Sequence, residues 1–85
     1  MTQLHINENL IKNLPQLNVP KLHSLYADSN LIESIDSFAH NYYSELQIIY
    51  IRNNKLKSLP ALKTPNLNLL YCHDNAIQDI HAFCL

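Results

Sequence analysis

Glycine is absent from this sequence of 85 residues, and so is tryptophan. Without glycine there is no phosphate-cradling loop and no nucleophile elbow, since both need residues lacking a Cβ at fixed positions. The same absence predicts backbone arcs built without left-handed glycine corners. Cysteine is scarce: Cys72 and Cys84 form neither a CxxC pair nor the dense framework of a disulfide-stapled secreted domain. Cys84 is also one residue from the end, where a prenylation box would need it four from the end. No apolar run nears the ~20 residues that cross a bilayer, and Met1 to Glu8 lacks the basic and then apolar order of a signal peptide. These absences lead us to expect a cytoplasmic chain with no membrane contact. Neither sign of charge dominates, with 6 Lys and Arg against 7 Asp and Glu, so the basic excess of a nucleic-acid binder is missing. The length suits one domain, 1–85, with a modest core.

What is present is a period. Asn9, Asn30, Asn54 and Asn75 are spaced by 21, 24 and 21 residues. Aligned on them, Met1, Leu22, Leu46 and Leu67 share position 1, and Leu4, Leu25, Ile49 and Leu70 share position 4. Position 6 holds Ile6, Ala27, Ile51 and Cys72, and position 11 holds Ile11, Ile32, Leu56 and Ile77. Leu14, Ile35, Leu59 and Ile80 follow at position 14, then Leu17, Phe38, Leu62 and Phe83 at position 17. Every aligned core slot is apolar, whereas a 47% apolar composition would fill about half of them by chance. The repeats run 1–21, 22–45, 46–66 and 67–85, and the second is longer by about three residues within Ala39 to Glu45. That insertion is expected to bulge from the convex side or a flank.

The pattern L-x-x-L-x-L-x-x-N-x-I-x-x-I-x-x-L resembles the leucine-rich repeat along the whole chain. The I-x-x-I-x-x-L continuation is similar to the subclass named after a regulatory subunit of protein phosphatase 1. Leu14-Pro15-Gln16-Leu17 and Leu59-Pro60-Ala61-Leu62 are similar to the LPxL repeats of bacterial effectors, and both resemblances stand. They imply an α/β-type repeat solenoid, a right-handed coil with a short parallel sheet on its concave side and irregular or 3-10 arcs on its convex side. Each repeat contributes a strand with positions 4 and 6 turned inward. The Asn at position 9 sits where the chain turns, its amide pairing with the main chain of its own and the next coil. Pro15, Pro20, Pro60 and Pro65 suit extended arcs that need no ladder N–H.

Residues able to carry chemistry do not converge. His5, His23, His40, His73 and His81 occupy unrelated repeat positions, and a zinc site needs about four ligands meeting at bond distance. Only His81 and Cys84 have ligand-like spacing, so no metal, cofactor or enzymatic activity is expected. Cys72 reads as a small core residue, and Cys84 as a more accessible thiol. Lys55, Lys57 and Lys63 read as a solvated face.

The outward strand positions are more informative, because stacking turns equal positions into ladders. Position 5 gives His5, Tyr26, Tyr50 and Tyr71. Position 3 gives Gln3, Ser24, Ile48 and Leu69, position 7 gives Asn7, Asp28, Arg52 and His73, and position 8 gives Glu8, Ser29, Asn53 and Asp74. Tyr and Arg are the types that anchor protein interfaces. The expected partner-binding residues are therefore Tyr26, Ile48, Tyr50, Arg52, Leu69, Tyr71 and His73, with a protein as partner, as the resemblance also implies. The alternative is a structural role, as part of a longer solenoid or as a homo-oligomer joined through uncapped ends near Leu4 and Ile6 or Ile80 and Phe83.

Overall fold

The computed structural model describes residues 2–77. Four three-residue strands, β1 (Gln3–His5), β2 (Ser24–Tyr26), β3 (Ile48–Tyr50) and β4 (Leu69–Tyr71), form one parallel sheet in chain order. The register pairs Gln3 with Ser24, Ser24 with Ile48 and Ile48 with Leu69, and so on through position 5. This is the register that the Asn alignment sets. Each of the first three strands is followed by an arc that carries the chain back to the next coil, as a parallel pair requires.

The core lies between sheet and arcs. Leu22, Leu25, Ala27, Ile32, Ile49, Ile51, Leu46 and Leu56 are all at 1% exposure or less, which places positions 1, 4, 6 and 11 of the middle coils inside. At the first coil positions 4, 6 and 11 are only half-buried, because Leu4, Ile6 and Ile11 have a neighbouring coil on one side only. Ile80 and Phe83, expected at the opposite end, lie outside the described residues, as do His81 and Cys84. Cys72 fills its inward slot, yet it is disulfide-bonded and not the plain core thiol that its position suggests.

The Asn ladder closes the bend after each strand. Asn54 donates through Nδ2 to the carbonyls of Ile51 and Arg52 in its own coil and of Ala27 in the preceding one, while its Oδ1 accepts the Ile32 N–H at 3.0 Å. Asn30 and Asn75 repeat the pattern with Ile6 and Ile51 as the cross-coil acceptors. The neighbour served is the preceding coil, not the following one expected from sequence. Two adjacent coils are thus fastened by one buried amide, with no buried polar side-chain atom lacking a partner among the described residues.

The absence of glycine does not remove the left-handed corners. Glu8, Ser29, Asn53 and Asp74, all at position 8, have φ of 58°, 58°, 56° and 59°. The turn between strand and Asn demands this backbone, and three of its four occupants are the short polar types that tolerate it best. Position 8 is therefore a corner and not part of a strand surface.

The insertion in the second coil turns inward as well as outward. Its arc contains a short helix, α1 (Asp36–Ala39), whose first N–H is met by the Ser34 hydroxyl at 3.1 Å. Just beyond it Tyr43 is 1% exposed and stacks on Phe38 with ring centres 4.4 Å apart. The Tyr43 hydroxyl accepts the Leu17 N–H, Asn41 donates to the Leu17 carbonyl at 2.6 Å and also pairs with Gln16, and Tyr43 N–H donates to the Lys63 carbonyl. Tyr42, 63% exposed, and His40 project as expected. The extra residues seat a large ring in a wider arc instead of forming a bulge.

Candidate partner-binding face

Alternation along each strand sends positions 3, 5 and 7 to the concave side once positions 4 and 6 are committed to the core. The position 5 side chains form a continuous stack. Ring centres are 4.3 Å apart for His5 and Tyr26, 4.9 Å for Tyr26 and Tyr50, and 4.8 Å for Tyr50 and Tyr71, with planes within 10° of parallel. These separations match the spacing of neighbouring strands, so the sheet itself sets the stacking distance. Tyr26, Tyr50 and Tyr71 are half-buried and His5, at the end of the row, is exposed. Because the ring faces lie against one another, an incoming group meets ring edges and phenol hydroxyls.

On one flank Ile48 and Leu69 sit side by side in register and are half-buried. Ser24, the next residue in that row, is only 8% exposed, so the apolar flank is confined to the third and fourth strands. On the other flank Arg52 is held in place from two sides. Its Nη2 lies 2.7 Å and its Nε 3.2 Å from Asp28 Oδ2, while its backbone N–H donates to Asp28 Oδ1 at 2.6 Å. The guanidinium carbon is 5.3 Å from the Tyr50 ring centre and 5.6 Å from that of Tyr71, within cation–π range. Its pKa is driven further up, chiefly by the hydrogen bond to Asp28, so the charge is permanent. Asp28 is fixed in turn, its N–H donating to Asn7 Oδ1 at 2.7 Å.

Of the residues expected from sequence, Tyr26, Ile48, Tyr50, Arg52, Leu69 and Tyr71 come together on this one surface. His73 extends the position 7 row and is exposed, with its ring 3.9 Å from the Asp74 carboxylate at the adjoining corner. The residue that sequence reasoning passed over is Asp28. It organises the polar flank by accepting from Arg52 both through backbone and through side chain. The signal was present, because Asp28 and Arg52 hold the same repeat position in adjacent coils with opposite charge. On the arc side Lys63 Nζ donates to the His40 carbonyl, and a depression of about 200 Å³ lies between Leu17, Pro20, Asn41 and Tyr42.

Among the described residues no three His, Cys, Asp or Glu side chains are placed to hold a metal ion, and no helix is long and apolar enough to cross a membrane. The family model for leucine-rich repeats in two copies matches residues 44–83, the stretch that carries β3 and β4. Together with the fold, this match supports a leucine-rich-repeat protein. The four parallel strands in a single sheet, closed by Asn ladders, fit the repeat solenoid expected of such a protein. Leucine-rich repeats generally mediate protein–protein interaction. No curated protein and no solved structure matches this leucine-rich-repeat chain.

Proposed function

We propose that the chain is a non-enzymatic module that holds a partner protein on the concave sheet, with Tyr50, Tyr71 and Arg52 at the centre and Tyr26, Ile48, Leu69 and His73 around them. The observation that carries this reading is the stack of half-buried tyrosines beside a guanidinium already fixed by Asp28. Interface side chains ordinarily lose about 0.5–1.5 kcal/mol each of rotamer freedom on binding. Rings clamped between neighbouring rings and an Arg clamped by a carboxylate have lost much of it in advance. The edges, hydroxyls and remaining guanidinium N–H groups favour hydrogen-bond acceptors on the partner, and Ile48 with Leu69 favours an aliphatic side chain next to them. The Asp28–Arg52 pair cancels its own charge, which suits a partner segment of low net charge.

Affinity capture by wild-type and altered chains, with the captured protein titrated afterwards, tests the reading. Tyr50→Ala with Tyr71→Ala is expected to keep the fold and to weaken binding by at least ~2 kcal/mol, the threshold of an interface hot spot. Lys57→Ala, on the turn side, is expected to change affinity by no more than about 0.5 kcal/mol. Loss of binding in the Lys57 variant with retention in the tyrosine variant would move the site to the convex arc or to the Tyr42–Tyr43 insertion.

A further inference from the structure

The outer edge of β1 is a second surface, independent of the concave face. Around β1, the main-chain hydrogen bonds between the first coil and the second use even-numbered residues of the first: Ser24 donates to the Thr2 carbonyl, Ile6 to Tyr26 and Glu8 to Asp28. Strand alternation therefore turns the N–H and C=O groups of Gln3 and His5 away from the sheet, and Asn7 follows them with one lone pair of its carbonyl already taken by Asn9 Nδ2. Asn9 shows the same vacancy. Its Nδ2 donates to Ile6 and Asn7 in its own coil, but the cross-coil bonds that Asn30, Asn54 and Asn75 each make to a preceding coil have no counterpart there. Edges of this kind are usually blunted by Lys, Pro or an inward charge, and the sequence from Thr2 to Asn7 holds none of these.

We infer that this edge is a self-association site, at which two copies of the chain pair their β1 strands antiparallel about a twofold axis at His5. The segment is complementary to itself in that register. His5 meets its symmetry mate, and Gln3 meets Asn7 of the second copy, so outward-facing main-chain groups exchange hydrogen bonds pair by pair. On the concave side the amides of Gln3 and Asn7 lie across from each other. On the core side Leu4 comes opposite Ile6 of the other copy, and both are side chains that the first coil leaves half-buried. Glu8, the one acidic residue in the segment, stands at the left-handed corner beyond the paired residues and far from its own mate, so no like charges face each other. The operation closes on itself, giving a dimer with one continuous sheet and not a filament. The tyrosine stacks of both copies remain open.

Sedimentation of the 85-residue chain from low to high micromolar concentration is expected to show the mass rising from one chain to two. His5→Pro removes the central outward N–H, which serves no bond to β2, and should weaken association at least ~10-fold while circular dichroism stays native. If that variant unfolds, His5→Lys supplies the same test by opposing two ammonium groups at the axis. Mild oxidation of His5→Cys should trap a covalent dimer, because hydrogen-bonded antiparallel neighbours lie ~5.5 Å apart, within disulfide reach. Gln3→Cys should not, its mate being roughly 14 Å away. A single-chain mass at every concentration, association indifferent to both His5 substitutions, or equal trapping at positions 3 and 5 would each overturn the inference.

Discussion

Asn54 and Ser29 show how much of this solenoid is decided at single positions. The Asn54 amide serves main-chain groups in two coils at once, and the Ile32 N–H and Ala27 carbonyl are buried where water cannot readily replace it. Asn54→Ala is therefore expected to cost about 1–3 kcal/mol in a urea melt. Asn68→Ala, on an exposed residue whose side chain makes no such bonds, should be silent. Asn66, which sequence alone ranks with Asn68 as a neutral surface residue, donates to the Ser44 carbonyl at 2.7 Å and is not an equivalent control. Ser29 sits at a left-handed corner that costs an ordinary residue roughly 1–2 kcal/mol. Ser29→Gly should relieve part of that cost, and after the larger entropy of an unfolded glycine a gain of about 0.5–1 kcal/mol should remain. A loss of stability in the same melts would contradict the corner's role. The corners were illegible in sequence because they follow from the turn that every coil must make, and short polar residues such as Ser29, Asn53 and Asp74 are as common in turns and loops that make no such corner.

The element that departs most from its sequence expectation is the arc of the second coil. Its period and its extra length could be read, but the inward course of Tyr43 could not, since one aromatic in four repeats leaves no periodic trace. Burial holds the Tyr43 phenol above its ordinary value of 10.0, against smaller downward pulls from the hydrogen bonds of Leu17 and Asn41. As pH rises past about 10 the unfolded chain loses this proton first, which favours unfolding. The stability that Tyr43 contributes is thus whole below that pH and is lost as pH climbs through the raised folded value. Tyr43→Phe is expected to cost about 1 kcal/mol at neutral pH, because the Leu17 N–H loses its acceptor, and to be less sensitive to alkali. Urea melts of the two proteins from pH 7 to pH 11 should converge above pH 10, and parallel curves throughout would show that the phenol is not buried in solution. The strands behaved differently. Their register and inward faces were legible from the Asn spacing, because in a parallel stack each coil repeats its neighbour's requirements, whereas their three-residue limits were not.

At the scale of the whole molecule, three kinds of ladder run along the stack, and each does separate work. Buried Leu and Ile hold sheet to arc, position 9 Asn fastens coil to coil, and the His5–Tyr26–Tyr50–Tyr71 row lines the open concave surface. The seven residues expected on that surface could be picked out from position numbers alone, whereas Asp28 came to light only once its contacts to Arg52 and Asn7 were visible. Footprinting with a carbene photogenerated from a dissolved diazirine, with and without the captured partner, tests the central claim most directly. Selective protection of Ile48, Tyr50, Leu69 and Tyr71, with Tyr42 and Lys57 labelled as in the free chain, is the predicted result. Protection of Tyr42 and the Leu17–Pro20 depression, with the concave tyrosines labelled as before, would contradict it.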